Sequence, residues 1–172
     1  MAEAAPHTLL NAMSAPEAKA ALERCCGSSR WVQGMLARRP FASEQALFSD
    51  AKTLWATLER GDFLEAFSHH PQIGADPAEL SKRFARTAAW SSSEQARVQG
   101  ADPAIIDRLA RGNARYLARF GFMFIVCASG KSAEEMLELL EARIDNDPDR
   151  EISIAAAEQA KITRLRLEKL AA

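Results

Sequence analysis

The sequence predicts an all-α, single-domain helical bundle of about eight or nine helices. Three observations predict it. Glycine is scarce, at 8 of 172 residues, while alanine is abundant. β-Branched residues rarely cluster, so strand patterning is weak. Helix-start signals recur along the chain.

Ser14-Ala-Pro-Glu17 is a capping box with proline near the first helical position, and it opens a helix to about Cys26. Gly27-Ser28-Ser29 breaks that helix, and the next runs from about Arg30 to Arg39, stopping before Pro40. A third starts near Ser43, with Ala46, Leu47, Ala51, Leu54, Trp55 and Leu58 at helical spacing. Gly61-Asp62 is expected to cap a short helix from Phe63 to about Ser68. Asp76-Pro77-Ala78-Glu79 restarts a helix to about Ala88, and Ser91-Ser92-Ser93-Glu94 begins another. Asp102-Pro103 starts a longer one that ends at Gly121. Phe122 to Ala128 is strand-like but too short and isolated to make a sheet, so it is expected to be a buried, extended connector. Ser132-x-x-Glu135 is a further capping box, and Asn146-Asp147-Pro148 opens the last helix, over about 148–170.

Composition narrows the function. The 22 Lys+Arg against 23 Asp+Glu leave a formal charge of −1, which argues against binding nucleic acid by phosphate neutralisation. Lys161, Arg164 and Lys169 fit the negative end of a helix macrodipole better than a DNA-binding face. With 48% hydrophobic and 26% charged residues, one domain over 1–172 with a full core is expected. No apolar run is long enough for a membrane span, and the first twenty residues lack the basic start of a signal peptide. Cys25, Cys26 and Cys127 are odd in number, with no C-x-x-C spacing. That excludes a disulfide framework, disfavours a cysteine zinc site, and points to the reducing cytoplasm.

A few residues could carry chemistry. His69-His70-Pro71 ends a helix at a rigid break. A cationic group stabilises any helix C-terminus, but a histidine fixed there can also face a pocket. Adjacent histidines make a poor metal pair. Ser91 and Glu94 fit a cap, and the same first turn can hold an anion, with Glu94 an acid or base if burial raises its pKa. On the wheel of the last helix, Ile152, Ala155, Ala156, Ala160, Ile162, Leu167 and Leu170 share a face, and Arg166 points into it. Arg143 also lies on the apolar side of its helix, near Met136, Leu140 and Ile144. Each of these arginines either closes a buried ion pair or grips a ligand anion, and spacing does not rank them. Cys127 reads as a buried, inert thiol. Ser129-Gly130-Lys131-Ser132 echoes a P-loop end but lacks the upstream glycine, and reads as a turn and a cap.

Five segments in register resemble the 2-oxo-4-hydroxy-4-carboxy-5-ureidoimidazoline (OHCU) decarboxylases of urate degradation. They are His70-Pro71-Gln72-Ile73-Gly74, Ser91-Ser92-Ser93-Glu94-Gln95, Phe120 to Ala128, Glu141 to Asn146, and Lys161 to Leu167. The resemblance covers nearly the whole chain. It implies an all-helical enzyme, commonly a homodimer, that uses no cofactor or metal and takes a small ureidoimidazoline to (S)-allantoin. It implies His70 and Glu94 as the catalytic pair. It implies Pro71, Ser91, Gln95, Phe124, Ile125, Val126, Cys127, Ala128 and Arg166 as substrate contacts, those from Phe124 to Ala128 largely through backbone. Met123 departs from the proline often found there. The competing class is a non-catalytic helical module that binds a partner through apolar helix faces, which capping boxes and core arginines suit equally well.

Overall fold

The computed structural model describes residues 3–70, 77, 78, 82 and 102–171. Eight helices are delimited among them: α1 (Pro6–Ala12), α2 (Ala15–Cys25), α3 (Ser29–Ala37), α4 (Glu44–Ala56), α5 (Arg60–Ser68), α6 (Pro103–Phe120), α7 (Ala133–Arg143) and α8 (Pro148–Lys169). Pro77, Ala78 and Lys82 are also helical, and no strand occurs among the described residues. The fold is all-α, as the sequence predicts. The helix expected to begin at Ser91 lies outside the described residues, as does most of the one expected over 76–88.

Capping chemistry sets most of the starts. Ser14 and Ser132 each close a reciprocal capping box, with Glu17 and Glu135 at N3. Ser28 and Ser43 accept the N3 backbone N–H of α3 and α4, and Asp102 accepts the Ala104 N–H at 2.9 Å. Gly121 ends α6 at φ 77°, the left-handed conformation that glycine enters without strain. Two starts differ from the sequence reading. α1 was not expected, because Ala5 offers no side-chain cap and Pro6 is its only start signal; the helix is held by burying Leu10 completely. α5 begins at Arg60 rather than Phe63, because Asp62 is its N3 residue and accepts the Glu59 N–H at 3.0 Å.

The chain divides into two compact units: Met1–His70 with Ile125–Cys127 and Ile154–Ala172, and Pro71–Phe124 with Ala128–Ser153. In the first, Leu10, Leu22, Trp31, Met35, Leu47, Phe67 and Leu167 are fully buried. Each such side chain contributes roughly 1.5–3 kcal/mol by leaving water. The two buried indoles are also hydrogen-bonded: Trp31 Nε1 donates to Ala51 O at 3.1 Å, and Trp55 Nε1 to Ala156 O at 2.9 Å. These bonds tie α3 to α4, and α4 to α8, at fixed register.

In the second unit α6 packs on α7, and the core is aromatic and ionic together. Tyr116 lies against Phe120, Phe122 and Phe124 at centroid separations of 4.6, 5.8 and 5.3 Å. Beside this cluster, Glu151 is completely buried and Arg143 is 7% exposed. The Glu151 carboxylate accepts from Arg143 Nε at 2.7 Å, from Asn146 Nδ2 at 3.0 Å and from the Tyr116 hydroxyl. Arg143 also stacks over the Phe124 ring, 4.6 Å from its centroid. Burial, then the bond to Glu151, pushes the Tyr116 phenol up, so it stays protonated and donates.

Removing one partner of this pair leaves the other charged, buried and unmatched. Glu151→Leu is therefore expected to cost about 3–5 kcal/mol of unfolding free energy. The Arg143→Met/Glu151→Leu double variant is expected to recover much of that loss. Urea unfolding of the four members of the cycle measures both, and additive losses would show that the charges are not coupled.

Candidate functional site

The site is built in the first unit, beginning with the segment that holds α5. Along α5, Asp62, Glu65 and His69 occupy one edge, and the segment 27–30 lies against it. Arg30 Nη1 pairs with Asp62 Oδ2 at 2.9 Å, and the Ser29 backbone N–H donates to Glu65 Oε1 at 3.0 Å. Gly27 then faces His69 so closely that a Cβ there would sit 2.4 Å from the ring carbon Cγ. Three contacts in succession thus hold α5 from its first turn to its end. The break at 27–29, read from sequence as a helix stop, also lets the backbone approach His69.

His69 closes α5 with helical backbone angles, and the His70 N–H bonds Phe67 O at 3.2 Å. His70 is therefore the first residue past the helix. Its ring Nε2 meets Gln159 Oε1 on α8. Gln159 is 1% exposed, and its Nε2 donates to Thr163 Oγ1 at 3.1 Å. Thr163 in turn neighbours Cys26 and opposes the upward shift of its thiol. A polar line thus runs from His70 through Gln159 to Thr163, among apolar neighbours.

Arg166 stands one turn beyond Thr163, its guanidinium felt electrostatically by both Cys25 and Cys26. Burial, with Arg166 opposing it, pushes both thiols up to about 11. They are neutral at ordinary pH, and they compensate no positive charge. Arg166 is half-buried, and among the described residues its one hydrogen bond is a long 3.4 Å contact to Arg24 O. Among the described residues no carboxylate lies within ion-pair distance of it. Arg143 differs, since its charge is already matched by Glu151 at 2.6 Å. The two arginines that spacing left unranked are separated by their surroundings.

Ile125, Val126 and Cys127 are buried in this same unit as His70 and Arg166. Phe124 and Ala128 group with the other unit, where the Phe124 ring is engaged by Arg143 and Tyr116. The connector is neither helix nor strand. Pro71, Ser91, Glu94 and Gln95 lie outside the described residues. Among the described residues no group of three or more His, Cys, Asp and Glu side chains is placed to hold a metal ion.

Sequence reasoning missed Gln159 and Thr163. The signal was present: Glu151, Ala155, Gln159, Thr163 and Leu167 recur every fourth residue and are all buried. Polar groups on that stripe require partners, so each marks an interaction.

The sequence model of the family described as OHCU decarboxylase matches residues 11–168. The chain belongs to the OHCU decarboxylase family. It is 43% identical over 149 residues to the uric acid degradation bifunctional protein TTL of Arabidopsis thaliana, covering 85% of this chain and 45% of that protein. The chain thus spans less than half the length of that relative. It is 39% identical over 130 residues to the 2-oxo-4-hydroxy-4-carboxy-5-ureidoimidazoline decarboxylase of Amia calva, covering 72% of this chain and 73% of that one. A crystal structure of an OHCU decarboxylase in the presence of (S)-allantoin superposes with a TM-score of 0.67 at 40% identity, covering 86% of this chain and 94% of the other. An (S)-allantoin synthase structure, at 18% identity and a TM-score of 0.67, shares the fold.

The close approach at Gly27 carries a prediction. Gly27→Ala forces the end of α5 away and is expected to destabilise the protein by about 1–3 kcal/mol, as overpacking does. The His70 imidazole resonances are expected to move with it. Urea unfolding and imidazole NMR report the two effects, and an unmoved His70 signal would mean that the 27–29 turn yields instead.

Proposed function

We propose that the chain, as one OHCU decarboxylase domain, decarboxylates 2-oxo-4-hydroxy-4-carboxy-5-ureidoimidazoline to (S)-allantoin without a cofactor. The observation that carries this reading is the family match over residues 11–168, supported by the 40% identical OHCU decarboxylase structure. The surroundings of His70 and Arg166 add support.

The chemistry suits those residues. The substrate bears a carboxylate and a hydroxyl on one ring carbon, next to a ring C=N. Breaking the bond to the carboxylate releases CO2 and sends its electron pair into the ring. A ring C=C forms, and the C=N pair moves to nitrogen, which takes a proton. The resulting enol becomes a ketone when the hydroxyl loses its proton and the ureido-bearing carbon gains one on a single face. That needs an acceptor at the hydroxyl and a proton donor held to one side.

His70 takes the hydroxyl, and Glu94 delivers the proton. Arg166 orients an anionic or urea group through its planar fork. A guanidinium that is half-buried with no carboxylate partner among the described residues suits that work. Ser91, Gln95 and Pro71 line the substrate by family register, and Phe124 to Ala128 contact it largely through backbone. A mostly apolar surround at the carboxylate favours the less charged transition state.

The same reading takes the enzyme as a cytoplasmic homodimer. Three free cysteines fit a reducing compartment, and sedimentation velocity tests the dimer. No helix among the described residues is long and apolar enough to cross a membrane.

The deciding assay generates the unstable substrate from urate with urate oxidase and hydroxyisourate hydrolase, then follows (S)-allantoin by circular dichroism. The chain is expected to accelerate its appearance well beyond the spontaneous rate. His70→Ala and Glu94→Ala are expected to fold and lose stereospecific product. Arg166→Lys is expected to cut kcat/KM by about tenfold or more at unchanged stability, because a point charge does not reproduce a planar fork. A folded wild-type chain that leaves the rate unchanged would point to a non-catalytic module on the same scaffold. Near-wild-type turnover in the His70 or Glu94 variant would overturn the role given to that residue.

A further inference from the structure

The polar line behind His70 has a direction. On α8, Thr163 Oγ1 receives the Gln159 amide, with Gln159 Nε2 donating to it at 3.1 Å. The amide is thereby oriented, with Oε1 facing His70 Nε2. A carboxamide oxygen only accepts, so the imidazole nitrogen against it must carry a proton. Gln159 and Thr163 are 1% and 6% exposed, so water does not compete for these bonds.

We propose that Gln159 is a positioning residue that holds His70 as the Nε2–H tautomer, so that proton exchange at the reacting centre falls to Nδ1. The inference deepens the reading of His70 as the group at the substrate hydroxyl and rests on it. Its physical basis is general. The hydrogen bond at one ring nitrogen selects the tautomer and fixes the ring plane, which decides where the other lone pair points. Gln159 touches no substrate in this scheme and acts through His70. Thr163 acts one step further back, by accepting from the amide Nε2 and so keeping the amide from turning over.

The test reads the tautomer directly, in the ligand-free full chain, from long-range 1H–15N correlation spectra of 15N-histidine-labelled protein above the imidazole titration. The chain has only three histidines, His7, His69 and His70, and His70→Gln assigns the signal. Wild type is expected to show His70 with protonated Nε2 and a pyridine-like Nδ1. Gln159→Leu, nearly the same shape, is expected to show both tautomers in exchange. In the allantoin assay it is expected to lower kcat roughly 10- to 100-fold with little change in KM, a part of what acid–base catalysis supplies. Thr163→Val leaves Gln159 in place but frees its amide to turn, and it is expected to give a mixture of tautomers with a smaller loss of kcat. It also decides the matter if Gln159→Leu does not fold. A wild-type His70 protonated at Nδ1 overturns the proposal. So does a folded Gln159→Leu with unchanged tautomer and kcat, or a Thr163→Val with the wild-type tautomer alone. Wild-type protein with the Nε2–H tautomer but no decarboxylation would sustain the lock and overturn the reaction instead.

Discussion

Burying a polar group inside a helical protein is tolerable only when every one of its bonds is met, and α8 does this repeatedly. Glu151, Gln159 and Thr163 all sit on its buried stripe. A carboxylate at Glu151 would be strongly destabilising alone. It is accommodated because Arg143, Asn146 and Tyr116 all donate to it. The amide of Gln159 obeys the same rule with His70 and Thr163. An apolar stripe would pack as well, but it would not select one partner at one register.

The consequence is a division of labour along one helix. The first turns of α8 belong to the second unit and serve its core, where ionic and aromatic contacts are shared among Tyr116, Phe124, Arg143 and Glu151. The remainder belongs to the first unit and carries the groups around His70. At about 1.5 Å of rise per residue, Gln159 and Arg166 are separated by about 10 Å along the axis. A rigid helix holds the residue behind His70 and the arginine at that separation without any loop having to order itself. His70 follows α5 on the other side of the polar line, and α5 is held along its length by Gly27, Ser29 and Arg30.

The two arginines show how surroundings decide chemistry for one residue type. Arg143 has spent its charge on Glu151 and its flat face on Phe124. Arg166 lies near two thiols that burial keeps neutral, and among the described residues it makes a single long bond to a carbonyl. Arginine cannot discharge itself by losing a proton, so a half-buried guanidinium with no carboxylate beside it among the described residues is poised for an anion. That is a property of its neighbours, and no helical wheel contains it.

The sequence by itself determined the helical class and most helix starts, because capping is a local exchange between a side chain and the backbone three residues on. Ser14, Ser43, Asp102 and Ser132 needed no tertiary partner to be read. It also determined the family, through five short segments in register, and with it His70, Glu94 and Arg166 as the residues to consider. It did not show α1, which has no side-chain cap and is held by the burial of Leu10. Only the tertiary structure decided that Arg143 is closed off by Glu151 while Arg166 is not, and that Gln159 stands behind His70, 89 residues away in sequence. Periodicity says which face of a helix is buried. What a polar group on that face meets depends on segments brought together by packing, and that information lies in no single stretch of the chain.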